Sequence, residues 1–309
     1  MNIKKTEREN LVSLKLKLVL AAVIIIPVVV TATVLVYLNL NPSQNPPTCS
    51  GHPAFIISSP TFFNHTCTDL SKIPAQYIHK VQDLVKFHYA HRSHGDQLTI
   101  GLDLIENANN TFSVAIEDFT LPTESGALCI MNGQRGYNGR ANKSYVDPPD
   151  YWAENGLNWT QDVLNNNAAI NFSMWTWCTE LDWMDESQVQ GYLDNISLLE
   201  TQYPNVTFIY MTGNAQATGA DGYNRYLRNQ YIRDYCKNNS KWLFDFEDID
   251  SWYNGHQCTY LYNGVYVPVE HPHFFVPNHE GPGHTIYESC QLKGAVVWWM
   301  FAYLLGWRP

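Results

Sequence analysis

Five short apolar runs, at 84–90, 127–131, 169–177, 206–212 and 242–246, recur along the chain, separated by polar or amphipathic segments of helical length. Runs this short, rich in aromatic and β-branched residues, read as strands. Strands separated by helices pair in parallel, because a parallel connection must carry the chain back along the sheet. The pattern therefore predicts an α/β fold, a doubly wound and mostly parallel five-stranded sheet of the flavodoxin-like kind.

The clearest unit is Ala169-Ile170-Asn171-Phe172-Ser173-Met174-Trp175-Thr176-Trp177, then a helix over 185–202, then a strand at 206–211. Val189, Tyr192, Leu193, Ile196 and Leu199 fall on one helical face, and Asp185 with Glu186 suit the helix N-terminus. A second helix is expected over 224–238 and a last one over about 287–305. The stretch 295–305 is apolar on every side, yet too short to span a bilayer, so it is expected to be buried against the sheet. Residues 252–282 look long, aromatic and irregular, as a binding loop or lid would be. Trp252, Tyr253, Tyr260, Tyr262 and Tyr266 there can stack on sugar rings or simply cover the sheet.

Between Leu18 and Leu40 the chain runs for 23 positions without a charge, long enough as a helix to cross about 30 Å of hydrocarbon. Lys4, Lys5, Arg8, Lys15 and Lys17 precede it, which keeps the N-terminus cytoplasmic and places the rest outside the cell membrane. The expected organisation is a cytoplasmic tail at 1–17, a transmembrane helix at 18–40, a linker and lead-in at 41–79, and the α/β domain at 80–309. Asn-x-Ser/Thr sequons at Asn64, Asn109, Asn142, Asn158, Asn171, Asn195, Asn205 and Asn238 agree with export. So do seven cysteines, of which Cys49 and Cys67 could staple the lead-in and Cys178 is expected to be bridged. Beyond the span the chain keeps 14 basic and 27 acidic residues, a formal charge of −13, which argues against nucleic acid or anionic lipid as partner.

In an open parallel sheet the ligand crevice lies beyond the carboxyl ends of the strands. Those positions are polar here: His91-Arg92-Ser93-His94-Gly95 after the first strand and Asn132-Gly133-Gln134-Arg135-Gly136 after the second. Trp177-Cys178-Thr179-Glu180 follows the third, Gly213-Asn214-Ala215-Gln216 the fourth, and Glu247-Asp248 the fifth. Ser93, at a strand-to-helix turn, has the place of a nucleophile, and the backbone N–H groups beside it can face an oxyanion. His284, just before the last helix, is the best candidate for its base. Ser93 can equally be a helix cap, and Cys178 a thiol nucleophile. His88, His91, His94, His271, His273, His279 and His284, with Glu270, Glu280 or Asp96, leave a metal-dependent hydrolase open, although no strict ligand spacing such as HExxH occurs.

On those residues the chain resembles the SGNH (GDSL-type) hydrolases, whose serine follows the first strand and whose histidine precedes the last helix. His91-Arg92-Ser93-His94-Gly95-Asp96-Gln97, Trp175-Thr176-Trp177-Cys178, Tyr210-Met211-Thr212-Gly213-Asn214, Leu243-Phe244-Asp245-Phe246-Glu247-Asp248-Ile249 and Lys293-Gly294-Ala295-Val296-Val297-Trp298-Trp299 look like a little-characterised bacterial and archaeal group of that kind. The resemblance implies an SGNH-like fold and hydrolysis of an ester or acetyl group, on a small molecule or a glycan, without a cofactor. It casts Ser93 and His284 as catalytic, with oxyanion or binding positions at Gly95, Gly133, Gly136, Trp177, Cys178, Asn214, His91 and His94. The family's acid, three residues before the histidine, would fall on Gly281, so Glu280 or Asp248 would have to orient His284. Its asparagine would fall near Trp177 and Cys178, where none stands. A non-catalytic domain that binds carbohydrate or a protein partner on the same scaffold is the alternative.

Overall fold

The computed structural model describes residues 47–49, 61–133 and 154–309. The expected span at 18–40 lies outside them, and no helix among the described residues is long and apolar enough to cross a membrane.

The core is a parallel sheet of seven strands, β1 (Phe62–Phe63), β2 (Lys86–Ala90), β3 (Val114–Asp118), β4 (Leu128–Asn132), β5 (Phe172–Trp175), β6 (Thr207–Met211) and β7 (Trp242–Phe244). They lie in the order β1-β7-β6-β5-β2-β4-β3. The five expected strands are β2, β4, β5, β6 and β7. The two additional ones sit at the edges, where sequence signals are weakest. β1 is two residues long, too short for any periodicity, and β3 ends on the polar pair Glu117-Asp118. β1 precedes position 80, and the helix α1 (Ala75–Leu84) begins before it and runs past it. The inner strands are buried along their length, as strands with both faces covered must be.

Helices α2 (Asp96–Ala108), α3 (Glu154–Asn166), α4 (Glu186–Gln202) and α5 (Gly219–Asn238) connect the strands, with a short α6 (Phe246–Ser251) and the long α7 (Tyr287–Leu304) after β7. α4 starts where its sequence says it should. The Asp185 carboxylate accepts from the Gln188 backbone N–H at 3.0 Å, and the Gln188 side chain accepts in return from the Asp185 N–H at 2.9 Å. Val189, Tyr192, Leu193, Ile196 and Leu199 are all buried. α7 is buried over most of 289–302, including 295–302, the greater part of the stretch that is apolar on every side. It crosses α2 backbone to backbone: a Cβ on Gly101 would lie 1.9 Å from the Cys290 carbonyl oxygen, so only glycine allows that approach.

Residues 252–282 are more regular than expected. They hold two hairpins, β8 (Trp252–Tyr253) with β9 (His256–Gln257), and β10 (Thr259–Tyr262) with β11 (Val265–Pro268). Both turns are Asn-Gly pairs with positive φ, 49° and 76° at Asn254-Gly255 and 49° and 79° at Asn263-Gly264. Asn-Gly between short β runs is the strongest local hairpin signal, and it stood in the sequence unread. Tyr260 and Trp252 are buried, so covering the fold is their main task. Cys49 is bonded to Cys258, not to Cys67, and Cys178 is a free thiol. The bridge ties the start of the domain to β10, a pairing that distance along the chain hides. Asn109, Asn158, Asn205 and Asn238 are exposed, whereas Asn64 and Asn171 use their side chains to cap a turn and to bind the backbone at Leu84 and Lys86.

Candidate functional site

β2 lies between β4 and β5, and the chain leaves β2 toward one edge before returning to β5 on its other side. In open parallel sheets such a reversal is where ligands bind, beyond the carboxyl ends of the strands, here β2 and β5. Residues 91–95, 176–180 and 213–216 come together there.

Ser93–Gly95 forms a 3-10 turn leading into α2. Tyr89 Oη donates to the Gly95 carbonyl at 3.0 Å and accepts from Thr176 Oγ1 at 2.7 Å, which locks the turn to β5. A Cβ at Gly95 would lie 2.3 Å from His91 Cβ, so glycine lets the turn close over that histidine. His91 is buried, with Nε2 2.6 Å from Asn132 Oδ1, and it braces the end of β2 against β4.

Cys178 is the centre of the cluster. Its Sγ lies 3.2 Å from Ser93 Oγ and 3.1 Å from His94 Nδ1. Its own N–H donates to Glu180 Oε2 at 2.6 Å and its carbonyl accepts from Asn214 Nδ2. Glu180 is held in turn by Arg92, Nη1 to Oε1 at 3.1 Å. His94 Nε2 faces Gln216 Oε1 at 2.8 Å. Gln216 Nε2 donates to the His284 carbonyl at 2.8 Å and to Glu270 Oε1 at 3.2 Å. Two acceptors on that amide nitrogen fix which way the amide points, so Gln216 Oε1 takes a proton from His94 Nε2. Nδ1 is then a lone pair aimed at the thiol.

Burial pushes the His94 imidazole down, against the opposing pull of Gln216 and of the Asp250, Glu180 and Glu270 charges, so the ring is neutral at rest. Burial and then the Glu180 charge push the Cys178 thiol up, opposed by the Ser93 hydroxyl, the His94 N–H and Arg92. A neutral thiol beside a neutral base can pass its proton when an electrophile arrives.

The other expected residues fall into two groups. His284 joins the cluster: its ring lies 4.8 Å from that of His94, at φ 74°. Ser93 Oγ makes its hydrogen bond to Cys178. Asp248 lies apart from the cluster, its Oδ1 2.5 Å from His65 Nδ1. Glu280 is exposed on the loop before His284. Gly95 and Gly133 spend their N–H groups on the Arg92 and Tyr89 carbonyls, at 2.7 and 2.8 Å. Gly136 lies outside the described residues. Trp177 is buried, its Nε1 donating to the Met211 carbonyl at 2.8 Å, and is core. Asn214 bridges the Cys178 carbonyl and the Gln216 N–H, so it positions both loops. The metal alternative finds no ready set: the one grouping of ligand types among the described residues is Cys49, Cys258 and His271, and its two sulfurs are bonded to each other.

Gln216 and Glu270 carry more of the site than their sequence context suggested. Glu270 is buried, and burial followed by the nearby Asp250 charge raises its carboxyl to about 7; the ion pair of Asp250 with Lys293, at 2.6 Å, lies alongside. A carboxyl raised in the fold keeps its proton where the unfolded chain has lost it, so stability falls as pH rises from about 4.5 to about 7. Glu270→Gln is expected to remove that contribution, flattening the stability profile across this window by up to about 1.4 kcal/mol per pH unit, as read by urea unfolding at pH 5, 6 and 7. An unchanged slope would place the titration elsewhere.

Set against known proteins, the chain matches no protein-family model and no curated sequence.

Proposed function

We propose that this chain is a membrane-anchored, extracytoplasmic hydrolase of SGNH-like architecture that cleaves an ester or acetyl group, on a small molecule or a surface glycan. The observation that carries the reading is the His94 tautomer: a neutral imidazole, its Nε2 tied to Gln216, presents Nδ1 to a crevice that also holds a hydroxyl and a thiol. Acyl transfer needs that combination of nucleophile and oriented base. The order of β4, β2, β5, β6 and β7 supports the scaffold, since it is the 2-1-3-4-5 order of flavodoxin-like sheets. The uncharged run at 18–40, the exposed sequons and the Cys49–Cys258 bridge support the location outside the membrane.

The test is turnover of acetyl and short-chain acyl esters by the purified full chain. His94→Ala is expected to lower kcat/KM by about 10²-fold, the usual contribution of a general base. A wild-type chain that hydrolyses none of these esters overturns the reading.

One observation favours a second reading, a crevice that binds a glycan or partner without turning it over. The Gly95 and Gly133 N–H groups, which would face an oxyanion, are already bonded. Saturable glycan binding with no release of acid separates the two.

A further inference from the structure

We propose that the attacking atom of this crevice is Cys178 Sγ, with His94 as its general base and Gln216 as the group that orients the base, so that the site opens carboxylic esters through a thioester. The inference rests on the hydrolytic reading above and assigns the chemistry to a residue other than the family's serine.

Geometry separates the two candidates. The imidazole lone pair reaches the sulfur, His94 Nδ1 to Sγ 3.1 Å, while the hydroxyl of Ser93 makes its hydrogen bond to that same sulfur. With the thiol proton directed to Nδ1, the Ser93 hydroxyl is left to donate to Sγ. A donor on a sulfur that faces a base is the arrangement that stabilises a thiolate as it forms. The backbone that carries the thiol is also fixed: Glu180 takes the Cys178 N–H and Asn214 donates to the Cys178 carbonyl. Cys178 is partly exposed, whereas the free thiols of Cys67, Cys129, Cys236 and Cys290 are buried. Gln216 cannot turn to offer its NH2 to His94, because the Glu270 carboxyl and the His284 carbonyl both occupy that nitrogen.

The step balances without any further reagent but water. Sγ adds to the ester carbonyl as its proton moves to His94 Nδ1. The alkoxide leaves with that proton, giving a thioester and a neutral imidazole. Water then adds to the thioester, Nδ1 taking its proton, and the carboxylic acid departs as the proton returns to sulfur.

Two measurements on the full chain test this. The first is the rate at which iodoacetamide alkylates Cys178 at pH 7, read by the mass of the peptide that contains it. His94→Ala is expected to slow alkylation roughly tenfold and Gln216→Ala to slow it in the same direction, since the first removes the base that takes the thiol proton and the second removes the group that orients that base. The second is the site of the acyl group after brief exposure to an activated acetyl ester, expected on Cys178 and absent in Cys178→Ala. Thermal unfolding of each variant separates lost chemistry from lost fold. Alkylation indifferent to His94→Ala, or an acyl group on Ser93, overturns the assignment. A chain that hydrolyses no ester, yet shows His94-dependent alkylation, keeps the activated thiol and overturns only the ester reading.

Discussion

Arg233→Ala is expected to destabilise the domain by about 3–5 kcal/mol, the cost of stripping the partner from buried charges. The Arg233 guanidinium grips Asp245 through two nitrogens, Nε to Oδ2 at 2.8 Å and Nη2 to Oδ1 at 2.5 Å, and reaches Glu247 Oε2 at 2.8 Å. All three side chains are at most 5% exposed. The network reaches the sheet: Thr212 Oγ1, just after β6, donates to Asp245 at 3.0 Å and accepts from the Glu247 N–H at 3.1 Å. Without Arg233, Asp245 has no other cation in reach among the described residues, and Glu247 keeps only Arg225, at 3.5 Å. Arg233→Lys retains the charge but loses the planar fork, and should fall between wild type and alanine. Urea unfolding at pH 7 reads both. A loss below about 1 kcal/mol for the alanine variant would mean the network behaves as an exposed one.

Trp298→Ala carries the second large effect, also about 3–5 kcal/mol, for a different reason. Trp298 is fully buried on α7 and meets Phe112 edge to face, ring centres 5.2 Å apart. Removing it leaves a cavity between α7 and its neighbours that the close contact of Gly101 with the Cys290 backbone prevents from collapsing. Its Nε1 has no hydrogen-bond partner among the described residues, so Trp298→Phe removes a buried unmet donor along with some volume. The phenylalanine variant should therefore lose much less than the alanine one. Equal losses would show that a phenyl ring does not fill the space the indole occupies.

The fold was legible where a pattern repeats over many residues. The face of α4 with its Asp185–Gln188 cap, the all-round apolar stretch of α7 and the five inner strands follow from periodicity and burial alone. The edge strands did not, because two residues at 62–63 hold no period and Glu117-Asp118 breaks one. The hairpins at 252–268 were legible in principle, through Asn254-Gly255 and Asn263-Gly264.

The site was legible as a location but not as a set of partners. Strand ends pointed to Ser93, Cys178, Asn214 and Gln216 because a parallel sheet presents those positions together. His94 and Cys178 are 84 residues apart and Gln216 and Glu270 54, and no local rule pairs them. The same holds for Cys49, whose bond to Cys258 spans 209 residues.

What the amino-acid order determined by itself was the parallel α/β sheet and the edge at which its polar loops gather, since local periodicity and chirality settle both. Only the tertiary structure decided which of those polar groups touch. It turned the question about His284 and Ser93 into one about His94 and Cys178, because the two acceptors that orient the Gln216 amide come from segments the chain brings together only on folding.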